Sequence, residues 1–272
     1  MTKTVLITGA SSGIGKETAL RFQKRGWNVV ATMRSPQNAT DILNLERVLC
    51  LRLDVTDIDS ITAAIEQAIA KFKKIDVLVN NAGYGLAGAF EASSSEQVQR
   101  QFATNVLGLM DVTRCILPHF RQQKSGVIVN VASVGGRVAF PLLSLYHSTK
   151  WAVEGFSESL QHELKPLNIR VKIIEPGPIK TDFYDRSLDL ITKPELTAYD
   201  QIANTVLPNM NKLGKTGYPA SLVAETIYKA STDNSRRLRY PVGGAEALLF
   251  LRKLLPDGLF TAFIEKIMLA KS

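Results

Sequence analysis

The chain has 272 residues, of which 45% are hydrophobic and 21% charged, and a formal net charge of +8. That composition is ordinary for a globular protein, and the length can bury a substantial core without disulfides or metal. No stretch of about 20 apolar residues occurs, which excludes a membrane-spanning helix. The positive charge suits an anionic cofactor or a peripheral membrane contact, and no nucleic-acid motif accompanies it.

The opening "MTKTVLITGA" has too short an apolar run for a secretory signal, and it leads straight into a glycine loop. Cys50 and Cys115 sit inside apolar stretches and read as two buried thiols, with no disulfide framework or metal cluster. A reducing, cytoplasmic setting is expected. Thr4–Thr8 is the first strand. A helix with Ile14, Ala19 and Phe22 on one face follows, closed by Gly26. Trp27–Met33 and Arg47–Val55 are strands two and three. Ile58, Ile61, Ile65, Ile69 and Phe72 mark a helix by their spacing of three and four. Ile75–Asn80 is strand four, a long helical region covers roughly Ser95–Gln122, and Gly126–Ser133 is strand five. A helix over about Ser144–Lys165 stops at Pro166, Ile169–Pro176 is strand six, and Arg236–Gly244 is the last strand.

Strands alternating with helices, the strands nearly continuous in Val, Ile and Leu, predict an α/β doubly wound parallel sheet with helices on both faces. No linker interrupts the chain, so residues 1–272 read as one domain. Ala245–Ser272 adds two short amphipathic helices around Pro256–Gly258. That tail has four candidate uses: core packing, covering a substrate cleft, forming a subunit interface, or lying on a membrane.

"TGASSGIG" (Thr8–Gly15) joins the first strand to the first helix, where glycines let the backbone approach a pyrophosphate at a helix N-terminus. A merely structural turn is the alternative. At the end of strand two, where a carboxylate would bind the free ribose hydroxyls of NAD, the chain has Met33 and then Arg34. A basic residue there accommodates the extra phosphate of NADP, against the alternative of an ordinary surface arginine. Tyr146 and Lys150 in "YHSTK" are four residues apart, on one face of the predicted helix. An ammonium so placed favours the phenolate and makes Tyr146 a usable general acid or base.

Taken together, these motifs resemble the short-chain dehydrogenase/reductase family in its single-domain branch, with a Rossmann-type sheet of seven strands. The matching residues are "TGASSGIG", "DVT" (Asp54–Thr56), "NNAG" (Asn80–Gly83), Asn105, Ser133, "YHSTK" and "PGPIKT" (Pro176–Thr181), with thirteen positions from Ser133 to Tyr146. The resemblance implies hydride transfer between NADP(H), with NAD(H) less favoured, and a carbonyl or secondary alcohol. It implies Asn105, Ser133, Tyr146 and Lys150 as the catalytic set. Ser133 would hydrogen-bond the substrate oxygen, Lys150 would also bind the nicotinamide ribose, and Asn105 would hold a relay water. Cofactor contacts are implied for Gly9, Ser11, Ser12, Gly13, Ile14, Gly15, Arg34, Asp54, Val55, Asn81, Ala82, Gly83, Pro176, Gly177, Ile179 and Thr181. For Asn80 and Asn81 the alternative is that their amides tie strand four to its neighbours.

The family also places a mobile substrate lid after strand six, here residues 182–218. Phe183, Tyr184, Leu188, Leu190, Leu196, Tyr199 and Leu207 would suit an apolar steroid-, retinoid- or lipid-like substrate, or a general ketone or aldehyde. Packing of the same residues onto the core is the alternative. The family's habit of pairing long helices implies a homodimer or homotetramer. His119, His147 and His162 need no role, His147 should point away from the Tyr146 face, and no metal site is expected. A non-catalytic sensor of cofactor redox state is the competing function, disfavoured by the intact Ser133, Tyr146 and Lys150. Epimerase or dehydratase chemistry is disfavoured by chain length.

Overall fold

Short runs of β-branched and leucine residues form the strands of the central sheet, and each run ends where glycine, asparagine or a charged residue ends the pattern. The computed structural model describes residues 2–38, 40–183 and 187–270; Tyr184, in the expected lid, and the last two residues of the tail lie outside them. In chain order the first half comprises β1 (Thr4–Thr8), α1 (Gly13–Lys24), β2 (Asn28–Met33), α2 (Thr40–Leu43), β3 (Val48–Arg52), α3 (Ile58–Phe72), β4 (Val77–Asn80) and β5 (Gly85–Ala87). There follow α4 (Ser95–Phe102), α5 (Gly108–Gln122), β6 (Gly126–Val131), α6 (Ser144–Leu164), β7 (Ile169–Pro176), β8 (Ile179–Lys180) and β9 (Leu188–Leu190). The chain continues through α7 (Asp200–Thr216), β10 (Tyr218–Pro219), α8 (Ala220–Thr232), β11 (Arg239–Val242), α9 (Ala245–Leu254) and α10 (Asp257–Met268).

Seven strands form one parallel sheet in the order β11-β7-β6-β4-β1-β2-β3. Both faces are covered, as the apolar strands predict. On one face Ala19 and Phe22 of α1 and Val223 and Ile227 of α8 pack against Val5, Ile7 and Val29. On the other, Ile61 and Ile65 of α3, Val112 and Ile116 of α5 and Leu160 of α6 pack against Leu6, Leu78 and Ile128. The chain leaves β1 in one direction to β2 and β3, then returns to β4 on the opposite side of β1. The carboxyl ends of β1 and β4 therefore flank a crevice, the place where open α/β sheets bind ligands.

Local signals set several boundaries. Asp57 caps α3, accepting from the N–H groups of Asp59 and Ser60 at 3.1 Å. Ser94 and Gln97 form a reciprocal capping box at the start of α4.

Three features go beyond what the sequence shows. The helical region Ser95–Gln122 is not one regular helix: α4 and α5 are joined by a π-helical segment, Ala103–Leu107, in which the Gly108 N–H bonds to the Ala103 carbonyl. α8 was not foreseen, because "ASLVAETIYKAST" is rich in residues with weak helix propensity and its packing against α1 and the sheet stabilises it. The expected lid carries its own structure. β9 pairs in parallel with β5, β8 pairs with β10, and α7 follows. Three-residue strands have no periodicity to read, so only the partner reveals them.

The tail forms the two helices expected, α9 and α10. Phe260, Ile264 and Met268 are buried against Val206 and Met210 of α7. Among the described residues no helix is long and apolar enough to cross a membrane.

Candidate active site

The loop after β1 turns back on itself at Gly9, whose φ is +67° and where a Cβ would lie 2.9 Å from the Ala82 Cα. At Gly15 a Cβ would lie 2.2 Å from the Gly9 carbonyl oxygen, so α1 can start this close to β1 only with glycine there. α1 opens with no acidic residue in its first turn and no side-chain cap from Ser12. Its first N–H groups are thus left for an anion. The loop edges a cleft of about 890 Å³ that runs along the carboxyl ends of the strands. Every residue expected to be catalytic or to touch the cofactor lines that cleft except Gly15, packed beneath the loop, and Asn105, which lies behind Gly83 and Tyr84.

Met33 and Arg34 reach the cleft at the end of β2. Asp54 stands beside them. Burial opposes its ionisation, but hydrogen bonds from the Thr56 N–H and hydroxyl, with the charges of Arg34 and Arg52, hold its carboxyl below the usual range. Asn81 donates from its amide to the carbonyls of Thr8 and Gly9, each at 3.0 Å, and the Thr8 hydroxyl accepts from the N–H groups of Asn81 and Ala82. Asn80 bonds Thr113 and Asn130. Both asparagines therefore tie strands together, and Asn81 also faces the cleft. Thr8 was missed in the sequence because a strand-end threonine carries no signal of its own.

Deeper in the cleft, α6 carries Tyr146 and Lys150 on one face, with the Lys150 ammonium 5.8 Å from the centre of the Tyr146 ring. Lys150 is buried and donates to the Val131 carbonyl at 2.9 Å. Burial pushes its pKa down to about 8, opposed by the charge of Glu154. The π-helical segment brings Asn105 to this spot. Its amide accepts from the Tyr84 N–H at 3.0 Å and donates to the Tyr84 carbonyl at 2.9 Å and the Thr149 hydroxyl at 3.1 Å. Gly83 fits between these groups, since a Cβ there would lie 3.1 Å from Asn105 Oδ1 and 3.9 Å from Lys150 Nζ. Ser133 begins the turn after β6, its hydroxyl accepting from the Gly135 N–H at 3.0 Å.

His147 lines the cleft beside Tyr146, and it is buried and has work to do. Its Nε2 accepts from the Phe140 N–H at 2.9 Å, so Nδ1 carries the proton and donates to the Gly135 carbonyl at 2.8 Å. Burial pushes its pKa down to about 4 and keeps it neutral. It clamps the turn that holds Ser133 to the helix that holds Tyr146. The far wall of the cleft is apolar and includes Phe140, Leu143, Phe183, Leu188, Met210 and Leu248. Phe183 stands 5.8 Å from Tyr146, ring centre to ring centre. Lid and tail thus contribute to the cleft as well as to packing. Among the described residues no cluster of three or more His, Cys, Asp or Glu is placed to hold a metal.

The glycine cradle and the open start of α1 fit a dinucleotide phosphate, and the comparisons agree. The short chain dehydrogenase family model matches residues 3–189. The chain is 40% identical over 231 residues to an uncharacterized oxidoreductase of Schizosaccharomyces pombe, covering 85% of this chain and 97% of that one. It is 34% identical over 258 residues to a 3-ketodihydrosphingosine reductase of Bacteroides thetaiotaomicron, covering 94% of each. A short-chain dehydrogenase structure from Streptomyces avermitilis superposes with a TM-score of 0.84 at 33% identity, covering 98% of this chain and 96% of that one. Solved structures similar to this chain carry either cofactor. ElxO with NADP has a TM-score of 0.74 at 29% identity, covering 91% of this chain and 100% of that one. A Burkholderia phymatum enzyme with NAD has a TM-score of 0.82 at 26% identity, covering 93% and 92%. On the parallel sheet, the cleft at its switch point and these likenesses, the chain belongs to the short-chain dehydrogenase family, as an oxidoreductase that uses a nicotinamide cofactor.

Proposed function

We propose that this protein is an NADP(H)-dependent oxidoreductase that interconverts a carbonyl and a secondary alcohol on an apolar substrate. The observation that carries this reading is the convergence of Ser133, Tyr146 and Lys150 on one cleft whose remaining wall is aromatic and aliphatic. The dinucleotide, when bound, supplies or accepts the hydride. Gly9, Ser11, Ser12, Gly13 and Ile14 would hold its phosphates, Asp54 and Val55 the adenine, Asn81, Ala82 and Gly83 the adenosine ribose side, and Pro176, Gly177, Ile179 and Thr181 the carboxamide end.

The protein residues handle the proton. In reduction the Tyr146 hydroxyl gives its proton to the substrate oxygen, and in oxidation the phenolate takes it back. The Lys150 ammonium favours the phenolate and so brings the phenol nearer to working pH. The Ser133 hydroxyl donates to the same oxygen as charge develops on it. Asn105, whose amide is bonded to Tyr84 and Thr149, would hold the relay water. NADP preference is supported by Arg34 and by the lack of an acid at Met33. Relatives with either cofactor exist, so this rests on those two positions. An apolar substrate is supported by Phe183 beside Tyr146 and by Met210 and Leu248 beyond it. We place the protein in the reducing cytoplasm, as a homodimer or homotetramer.

The test is a screen of NADPH oxidation against ketones, aldehydes, steroids and retinal. Turnover is expected with large apolar carbonyls. No oxidation with any carbonyl, in a protein that binds NADPH, would favour the sensor reading.

A further inference from the structure

Outside the cleft, directly behind Lys150, lie two carboxyl groups that the proposed chemistry does not use. Glu154 is one turn beyond Lys150 on α6 and Glu175 is the penultimate residue of β7; they are 5% and 0% exposed. Each has one oxygen held by an arginine. Glu154 Oε2 accepts from Arg239 Nε at 3.0 Å, and Glu175 Oε1 lies 3.5 Å from Arg137 Nη1 and 3.8 Å from Arg239 Nε. Their other oxygens, Glu154 Oε1 and Glu175 Oε2, are buried and have no donor. The arginines do not balance two buried charges. The Arg137 side chain is 46% exposed, its contact is long, and Arg239 also serves Glu158. Two adjacent carboxylates in such a site cannot both ionise freely, and a proton between the two orphan oxygens satisfies both.

We propose that Glu154 and Glu175 share one proton, and that the negative charge borne by Glu154 keeps Lys150 an ammonium. Glu154 is then a positioning residue for Lys150, and burial together with Glu175 sets the pH at which Glu154 carries its charge. This rests on the reading of Lys150 as the cofactor- and Tyr146-binding cation. The charged groups facing the pair are Lys150 and Glu158 on α6, Arg137 in the turn after β6, and Arg239 on β11. Burial and the neighbouring Glu175 push Glu154 up to about 7, and Glu175 is pushed up too, burial first. Burial pushes Lys150 down to about 8, and Glu154 is the charge that opposes the fall. The two transitions are adjacent, so the pair ionises as Lys150 begins to need support. Linked pairs of this kind titrate as a unit.

The full-length protein and its E154Q and E175Q variants test the idea by two readouts. The first is infrared absorption of a protonated carboxyl. The unmodified protein should show a band below neutral pH that fades as pH rises through about 7, and in both variants, where burial alone raises the remaining carboxyl, the band should fade at lower pH. The second is NADPH affinity against pH. In the unmodified protein affinity should fall as pH rises through about 8. In E154Q the fall should come about one pH unit earlier, a roughly tenfold loss at fixed alkaline pH. E175Q, in which Glu154 loses its like-charged neighbour and ionises at lower pH, should keep the fall where the unmodified protein has it. A missing acid band overturns the proposal, whether or not E154Q folds. So does an E154Q profile that coincides with that of E175Q. NADPH that binds at no pH overturns instead the reading of the cleft, and the role of Glu154 with it.

Discussion

Tyr146 and Lys150 meet because residues four apart share a helix face, and that face is turned into the cleft. Tyr146→Phe removes the transferable proton while leaving the ring, so turnover should fall by about 10²-fold or more. NADPH affinity should stay within a few-fold, measured by fluorescence titration. Near-normal turnover would refute the role of the phenol. Arg34 makes an independent prediction. A charge-assisted hydrogen bond to a phosphate is worth roughly 1.5–3 kcal/mol, so Arg34→Ala should weaken NADPH binding about tenfold to a hundredfold and leave NADH nearly unchanged. Met33→Asp should turn the preference towards NADH. Both cofactors titrated against the unmodified protein decide the matter, and tighter NADH there would reduce Arg34 to a surface residue. These residues were legible because their motifs are contiguous. Thr8 and Glu175 were not, because their partners are far off in sequence: Glu175 meets Arg137 at 3.5 Å across 38 positions.

At the scale of elements, the strap formed by β5 and β9 brings Phe183 and Leu188 over Tyr146. It depends on two glycines. A Cβ on Gly85 would lie 2.7 Å from the Phe183 ring and 2.8 Å from Leu188, and Gly88 has φ +143° with Ile191 2.6 Å from its Cβ position. Gly85→Ala should therefore displace the lid, raising KM for the carbonyl substrate several-fold while NADPH affinity holds. Equal effects on both would mean that the strap supports the whole cleft. The tail makes a second test. Phe260, Ile264 and Met268 are buried against α7, each worth roughly 1.5–3 kcal/mol, so deleting residues 245–272 should lower the unfolding midpoint and impair solubility or substrate affinity more than NADPH affinity. A soluble truncated protein with unchanged kinetics would show the tail to be dispensable.

Across the whole molecule, two buried groups oppose each other in acid. His147 titrates at about 4 instead of 6.5, so the unfolded chain binds its proton first and the stability from neutral His147 is lost as pH falls from about 6.5 towards 4. That contribution is worth roughly 3 kcal/mol. Glu154 titrates at about 7 instead of 4.5, so the folded chain holds a proton that the unfolded chain has released, and its contribution is lost as pH rises from about 4.5 towards 7. The slopes cancel in part. Relative to the unmodified protein, His147→Gln should make stability fall more steeply with rising pH over this window, and Glu154→Gln should make it rise. Thermal unfolding of the three proteins checks the signs, and parallel curves would mean that neither group is shifted as described.

The sequence alone determined the alternation of strands and helices, the sheet they build and the residues from Gly9 to Thr181 that surround the cleft. Those features are written in local order: a glycine turn between strand and helix, and a Tyr–Lys pair at helical spacing. Tertiary structure decided the rest. The π-helical segment at Asn105, the pairing of β5 with β9 and the formation of α8 each depend on a surface supplied by another part of the chain. Packing of α10 on α7 is another case, because an amphipathic pattern specifies an apolar face but not what covers it. The Glu154–Glu175 pair is the clearest case. Two glutamates 21 positions apart have ordinary chemistry in the sequence. Only folding brings them together out of water, where desolvation and mutual repulsion change the charge that they carry.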